Sequence, residues 1–415
     1  MSPRRLLCSG LCITIMLLAT TRCSKSPTDD DADSDKTPPD VINDLVVITS
    51  TSHTATLQWT APHDYRDDGS NGMIDEYDLR VSYDSITPVN FAQAHRLDSV
   101  ATPAPAGAAQ QCVIDVLEPD SLYFFAVKSR DDKGNWSAIS NCCRVHCPPI
   151  AVVTFADSVL ERIIRVHLSK PSGDVLSTDV DTITIIAGAY QGITSLSGLE
   201  YFVSLQGAEL TGNNIVDIAP LSGATQLWGL NIGQNHISDL SPLAGLPGLR
   251  QLSIAENPIT DISALASTLA LQQLFMFGTQ VTDFSPLYGL VHLDDIHLAA
   301  LSLTDISFMS NLTHLRICKL NSNSITSIAP LGNLTALEGL DLMMNQISDL
   351  GPLTGLVNLH DVNLTYNSIT DIQPLVDNTG LGAGDVVYLG ENALSQQAID
   401  VEIPTLQGRG VTVTW

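Results

Sequence analysis

Positive charge is scarce in this 415-residue chain: 19 Lys and Arg stand against 45 Asp and Glu, a formal net charge of −26. An acidic surface with no basic stripe repels phosphate, so nucleic acid is excluded as a partner. Charged residues of both signs are few, 15% of the chain, while 28 Gly and 21 Pro imply many turns rather than long helices. Beyond the first twenty residues no apolar run is long enough to span a bilayer. Catalytic patterns are missing as well. His236, His292, His297, His314 and His360 are scattered without metal-ligand spacing such as H-E-x-x-H, and there is no G-x-S-x-G, Walker-type loop or dinucleotide-binding glycine run. The expectation is a protein that is not an enzyme and that needs neither metal nor cofactor. An exported hydrolase would need a site for which the regular sequence leaves almost no room.

The chain divides by composition. Arg4 and Arg5 precede an apolar run from Leu6 to Ala19, which predicts a signal peptide over residues 1–22. Cys23 follows the run directly and opens a polar stretch. Residues 23–40 carry five aspartates between Asp29 and Asp35 and no aliphatic residue beyond Ala32, so nothing there offsets the entropy of ordering. This segment reads as a disordered acidic tether.

From 41 to 147 the pattern becomes short alternating runs, among them LVVIT (45–49), TATLQWT (54–60), EYDLRVSY (76–83) and LYFFAVKS (122–129), separated by turns such as DDGSNG (67–72). Strands at this spacing predict an all-β, immunoglobulin-like antiparallel sandwich. Cys112, Cys142, Cys143 and Cys147 fall in or just after it, and a disulfide from Cys112 to one of the other three is expected, the partner left open. Asp64, Asp67 and Asp68 form an acidic loop that reads as a solvated turn rather than a calcium site, since it lacks a calcium loop's ligand spacing.

The second half repeats. The unit L-x-x-L-x-L-x-x-N-x-I-x-D-I-x-P-L-x-x-L-x-x is 22 residues long, with full copies starting at Leu205, Leu227, Leu249, Leu271, Leu293, Leu315, Leu337 and Leu359. A degenerate copy begins at Ile183, giving nine turns over 183–380. After a three-residue insertion, a terminal turn and cap occupy 381–415 and carry Val387, Leu389, Asn392 and Leu394. One such turn cannot offset its own ordering entropy, so stacked turns must share a continuous core closed by caps. The leucines point inward, and the third, fifth and seventh positions face outward from a parallel strand. Asn213, Asn235, Asn257, Asn323, Asn345 and Asn367 hold the turn position as a structural ladder, broken at Thr279 and Leu301. The aspartates at 217, 239, 261, 283, 305, 349 and 371 recur with the period and belong to the scaffold.

Each segment resembles a known family. Trp59 in the second strand, the run Leu117-Glu118-Pro119-Asp120-Ser121-Leu122-Tyr123 and Gly134-Asn135-Trp136-Ser137 resemble a fibronectin type III module, which implies a spacer or binding module. The repeats resemble bacterial internalin-type leucine-rich repeats. So do their flanks: FADSVLERIIRVHL (155–168), with Asp157 as helix N-cap inside a linker and helical cap over 148–182, and QGRGVTV (407–413), which resembles the family's closing strand. That resemblance implies a curved leucine-rich-repeat solenoid with its parallel β-sheet on the concave face. Cys23 stands where bacterial lipoproteins carry their lipidated cysteine, although Arg22 replaces the small residue that family places before it. The implied location is outside the cytoplasm, as an outer-membrane or cell-surface lipoprotein or a secreted protein, with membrane contact only through this anchor.

What the concave face binds depends on its outward side chains. In early turns these are small and polar, including Gly207, Glu209, Gly229, Asn231, Gln251 and Ser253. The middle turns present Phe275, Phe277, His297, Ile317, Lys319, Asp341 and Met343, with Met344 and Tyr366 just beside the strands. Outward aromatics and aliphatics on a polar face predict a protein partner. A glycan-binding adhesin, whose aromatics would stack on sugar rings, is the alternative.

Overall fold

The computed structural model describes residues 36–65, 72–98, 100 and 102–415. The signal peptide, Cys23, most of the tether and the loop residues Asp67 and Asp68 lie outside the described residues.

The N-terminal domain is all-β. Strands Val46–Ser50, Ala55–Thr60 and Ala109–Ile114 form one antiparallel sheet, and His95–Arg96, Ile74–Ser82, Leu122–Asp131 and Cys143–His146 form a second. Alternation in Ala55–Thr60 and Ala109–Ile114 turns one face of each inward. Trp59, Leu57, Leu79 and Phe125 are fully buried between the sheets, with Tyr77 edge-on to Trp59 at 5.2 Å. The Tyr123 hydroxyl accepts a 2.8 Å hydrogen bond from the Glu118 amide and so pins the turn before its own strand. Burial pushes its pKa up to about 12.

One expectation fails in this domain. Cys142, Cys143 and Cys147 are free thiols, so the bridge from Cys112 to one of them is not formed. Cys112 and Cys147 pack in the domain core, whereas Cys142 lies in a separate cluster with Ile86 and Phe91. Cys143, the first residue of its strand, packs against the main core instead.

The helix Ser158–His167 opens the second half, with Leu160 and Ile164 buried against the first turns. Asp157 caps it, accepting from the Val159 and Leu160 amides through Oδ1. Its Oδ2 accepts from both the amide and the hydroxyl of Thr194, which ties the helix to the first turn of the solenoid.

Eleven parallel strands follow in unbroken chain order, from Ile185–Ala187 to Thr412–Thr414. The last of them, Thr412–Thr414, overlaps the closing segment expected over 407–413, pairs in register with Val386–Tyr388 and closes the sheet. Ten spacings make a sheet roughly 48 Å wide across its strands. Leucines and isoleucines from every turn join one continuous core. Each fully buried leucine contributes roughly 1.5–3 kcal/mol of burial.

The asparagines bind successive turns together. Asn257 Nδ2 donates to the carbonyls of Ile232, Ile254 and Ala255 at 2.9–3.2 Å, while its Oδ1 accepts from the Ile237 amide. Asn213, Asn235, Asn323, Asn345 and Asn367 make equivalent bonds, and so does Asn392 after the insertion. At the break, Thr279 offers a single hydroxyl bond to the Met276 carbonyl. On the other side of the coil, Asp217, Asp239, Asp261, Asp283, Asp305, Asp349 and Asp371 each accept an amide two residues on at 2.7–2.9 Å, starting a short helical turn.

Preceding each ladder position is a residue in the left-handed region: Tyr190, Gln234, Glu256, Ala300, Ser322, Met344, Tyr366 and Glu391 have φ between +53° and +60°. Gly212 and Gly278 occupy this position in their own turns without the steric cost a Cβ carries there. The ladder is therefore built on a strained turn that the stacked hydrogen bonds hold in place.

Candidate recognition face on the parallel sheet

Register sets what lies beside what. Because strands pair with a 22-residue offset, outward positions form rows across the sheet. One row reads Gln251, Gln273, Asp295, Ile317, Gly339, Asp361, and the next Ser253, Phe275, His297, Lys319, Asp341, Asn363.

Two depressions interrupt the face. The first, about 460 Å³, lies over Gly207 and Gly229 and is walled by Trp228, Gln251, Gln273, Phe275 and Phe277. The second, about 590 Å³, lies over Gly339 and is walled by His297, Ile317, Lys319, Asp341, Asp361 and Tyr388, with Asp295, Glu338 and His360 at its margin. The outward residues of the middle turns thus do not share one hollow: Phe275 and Phe277 open onto the first, and His297, Ile317, Lys319 and Asp341 onto the second. Met343 and Tyr366 lie outside both, Tyr366 half exposed in the left-handed position.

The ridge between the hollows is a contact chain. The Phe275 and His297 rings meet edge-to-face at 4.5 Å, and His297 Nε2 stands 3.0 Å from Asp295 Oδ1. Within the second hollow Asp341 is partly buried and accepts a hydrogen bond from the Met343 amide. Burial raises its pKa above the ordinary carboxylate value, and neighbouring Asp361 adds to the rise against the opposing pull of that bond, Lys319 and His297. Glu338 is held at the edge by Arg316 through two bonds of 2.8 and 2.7 Å. Inward of this strand Cys318 is fully buried, and burial, reinforced by the Asp295 and Asp341 carboxylates, keeps it a neutral thiol.

Several lining residues lie outside the sequence-based set: Trp228, Asp295, Gly339, Asp361 and Tyr388. The first four are reachable from the sequence by following one outward row in steps of 22, or, for Trp228, the position just before it. Tyr388 is displaced from that count by the three-residue insertion. Among the described residues no group of three or more His, Cys, Asp or Glu is placed to hold a metal ion, and no helix is long and apolar enough to cross a membrane.

Comparison with known proteins agrees with the repeat geometry. Residues 225–267 and 335–377 match the family described as Leucine Rich repeats (2 copies), so the chain carries leucine-rich repeats. It is similar in structure to an internalin of Listeria monocytogenes, at 29% identity and a TM-score of 0.45, over 63% of this chain and 91% of that one. Internalin C2 of the same organism aligns at 27% identity and a TM-score of 0.44, over 63% and 94%. The ectodomain of the Arabidopsis receptor kinase HAESA, solved with a peptide hormone ligand, aligns at 21% identity and a TM-score of 0.42, over 56% and 46%. No curated protein matches the chain.

Proposed function

We propose that this chain is an exported binding protein that recognises a protein partner through the concave face of its repeat solenoid. In this reading the N-terminal all-β domain is a fibronectin type III spacer, and Cys23 either carries a lipid anchor or is passed over in a secreted form. The observation that carries the reading is an outward sheet face with two hollows separated by the Phe275–His297 ridge. Such a face is preorganised: a partner meets it without a folding cost, and half-buried aromatics supply anchoring area. Co-precipitation with the mature chain from a candidate host or neighbouring cell surface, repeated with Phe275→Ser/Phe277→Ser, tests it. Loss of the captured protein supports the reading; undiminished capture removes the concave face from it.

A glycan partner is the second reading, favoured by half-exposed Trp228 beside the amides of Gln251 and Gln273 at the first hollow. A glycan array probed with wild type and Trp228→Ala separates the two.

A further inference from the structure

The two hollows share a design and differ in chemistry. Gly229 and Gly339 occupy the same outward row, five strands apart, so the hollows above them are roughly 24 Å apart along the sheet. At neither glycine does a side chain from the protein fill the space: an added Cβ would meet only Gln251 Oε1 at 3.9 Å over Gly229, and nothing within 4 Å over Gly339. The first hollow is walled by Trp228, Phe275 and Phe277 and holds one carboxylate, Glu209. The second combines three features that suit a long basic side chain. Ile317, 39% exposed, offers an aliphatic wall for a methylene stem; Tyr388, 40% exposed, offers a ring face; Asp341 and Asp361 offer carboxylates. Among the described residues the Asp361 carboxylate makes no hydrogen bond or ion pair, and Asp341 receives only the Met343 amide. Lys319, the one lysine at this hollow, lies beyond ion-pair distance of either.

The geometry points to a partner segment with two anchors, an apolar side chain seated over Gly229 and an arginine or lysine seated over Gly339 between Asp341 and Asp361. This rests on the concave-face reading above and names the partner's chemistry. Spanning 24 Å takes about seven extended residues, so one unfolded strand or one face of a folded partner can reach both hollows. Charge complementarity favours this occupant over an acidic one: a chain of net charge −26 draws basic partners to a hollow whose carboxylates outnumber its cations.

The test is a selection of random 12-residue peptides on the immobilised full chain, read against three variants. Gly339→Leu fills the second hollow from its floor where there is open space. Asp341→Asn/Asp361→Asn keeps its shape and removes its charge, and Phe275→Ser/Phe277→Ser strips the wall of the first. The inference expects enriched peptides to carry Arg or Lys, to lose about tenfold or more in affinity on Gly339→Leu and on Asp341→Asn/Asp361→Asn, and to weaken with added salt. Enriched peptides that are neutral or acidic would overturn it, as would basic peptides that bind the two second-hollow variants as tightly as wild type. If binding is lost only with Phe275→Ser/Phe277→Ser, the recognition face stands and the cationic anchor falls. If none of the three variants changes binding, both fall.

Discussion

Phe275 and His297 meet edge-to-face across adjacent strands, 4.5 Å between ring centroids, and this pair divides the outward face of the parallel sheet into an apolar hollow and a charged one. Neither ring is fully buried, so the pair survives on mutual contact as much as on exclusion of water. Phe275→Ala should cost about 1–2 kcal/mol in urea unfolding. A double-mutant cycle with His297→Ala should return a coupling of roughly 0.5–1.5 kcal/mol. Zero coupling would mean that the ridge is two independent side chains.

The asparagine ladder makes opposite predictions at two neighbouring turns. Asn257→Ala removes three donated bonds and one accepted bond from buried backbone groups, and should destabilise the solenoid by about 2–4 kcal/mol. Thr279→Asn restores a missing rung and should stabilise by about 1 kcal/mol. Calorimetry of both variants checks the pair of signs together.

Asp157 links the cap helix to the first turn. Burial works against its charge, but bonds from Leu160, Thr194 and Val159 outweigh it and depress its pKa. A depressed carboxylate contributes stability that is present above its unfolded pKa, about 3.9, and is lost as pH falls through the lower folded value. Asp157→Ala should therefore cost about 1–2 kcal/mol at neutral pH and little in strong acid. Hydrogen exchange in Ser158–His167 should speed up in the variant before exchange in the central strands does.

Asp341 has the opposite sign. Its raised pKa means that the folded state penalises the ionised form, so its stabilising contribution exists at low pH and is lost as pH rises through the folded value. Asp341→Asn should raise the midpoint of unfolding at pH 7, with the gain vanishing below about pH 4. An unchanged midpoint across this range would contradict the burial argument.

These particulars also mark how far the sequence reaches. The 22-residue period is legible because the core leucines and the turn asparagines must recur for turns to stack, and Asp157 is legible because an N-cap is a local signal. The eleventh strand is legible only through resemblance of 407–413 to a closing strand, since Thr412–Thr414 follows its neighbour by 26 residues, outside the period; it joins the sheet by backbone pairing and by burying Val413 in the core. The left-handed residues before the ladder positions are invisible as a pattern, since Tyr, Gln, Glu, Ala, Ser and Met occupy them as well as Gly; conformation there is imposed by stacking, not by residue preference. The division of the face into two hollows is likewise hidden, because it depends on which side chains are absent above Gly229 and Gly339. The cysteines misled: Cys112 and Cys147 share one core without forming a bridge, and cysteine spacing in the sequence carries no sulfur-to-sulfur distance.

The central claim is that the concave face is the recognition surface, and hydroxyl-radical footprinting of the full chain with and without its captured partner tests it most directly. Trp228, Phe275, Phe277 and Tyr388 all line the hollows with oxidisable side chains. The account predicts that complex formation lowers oxidation at these residues while Tyr83 and Trp136 of the N-terminal domain, both exposed, stay unchanged. Protection at Tyr83 and Trp136 with none at the hollows would contradict it.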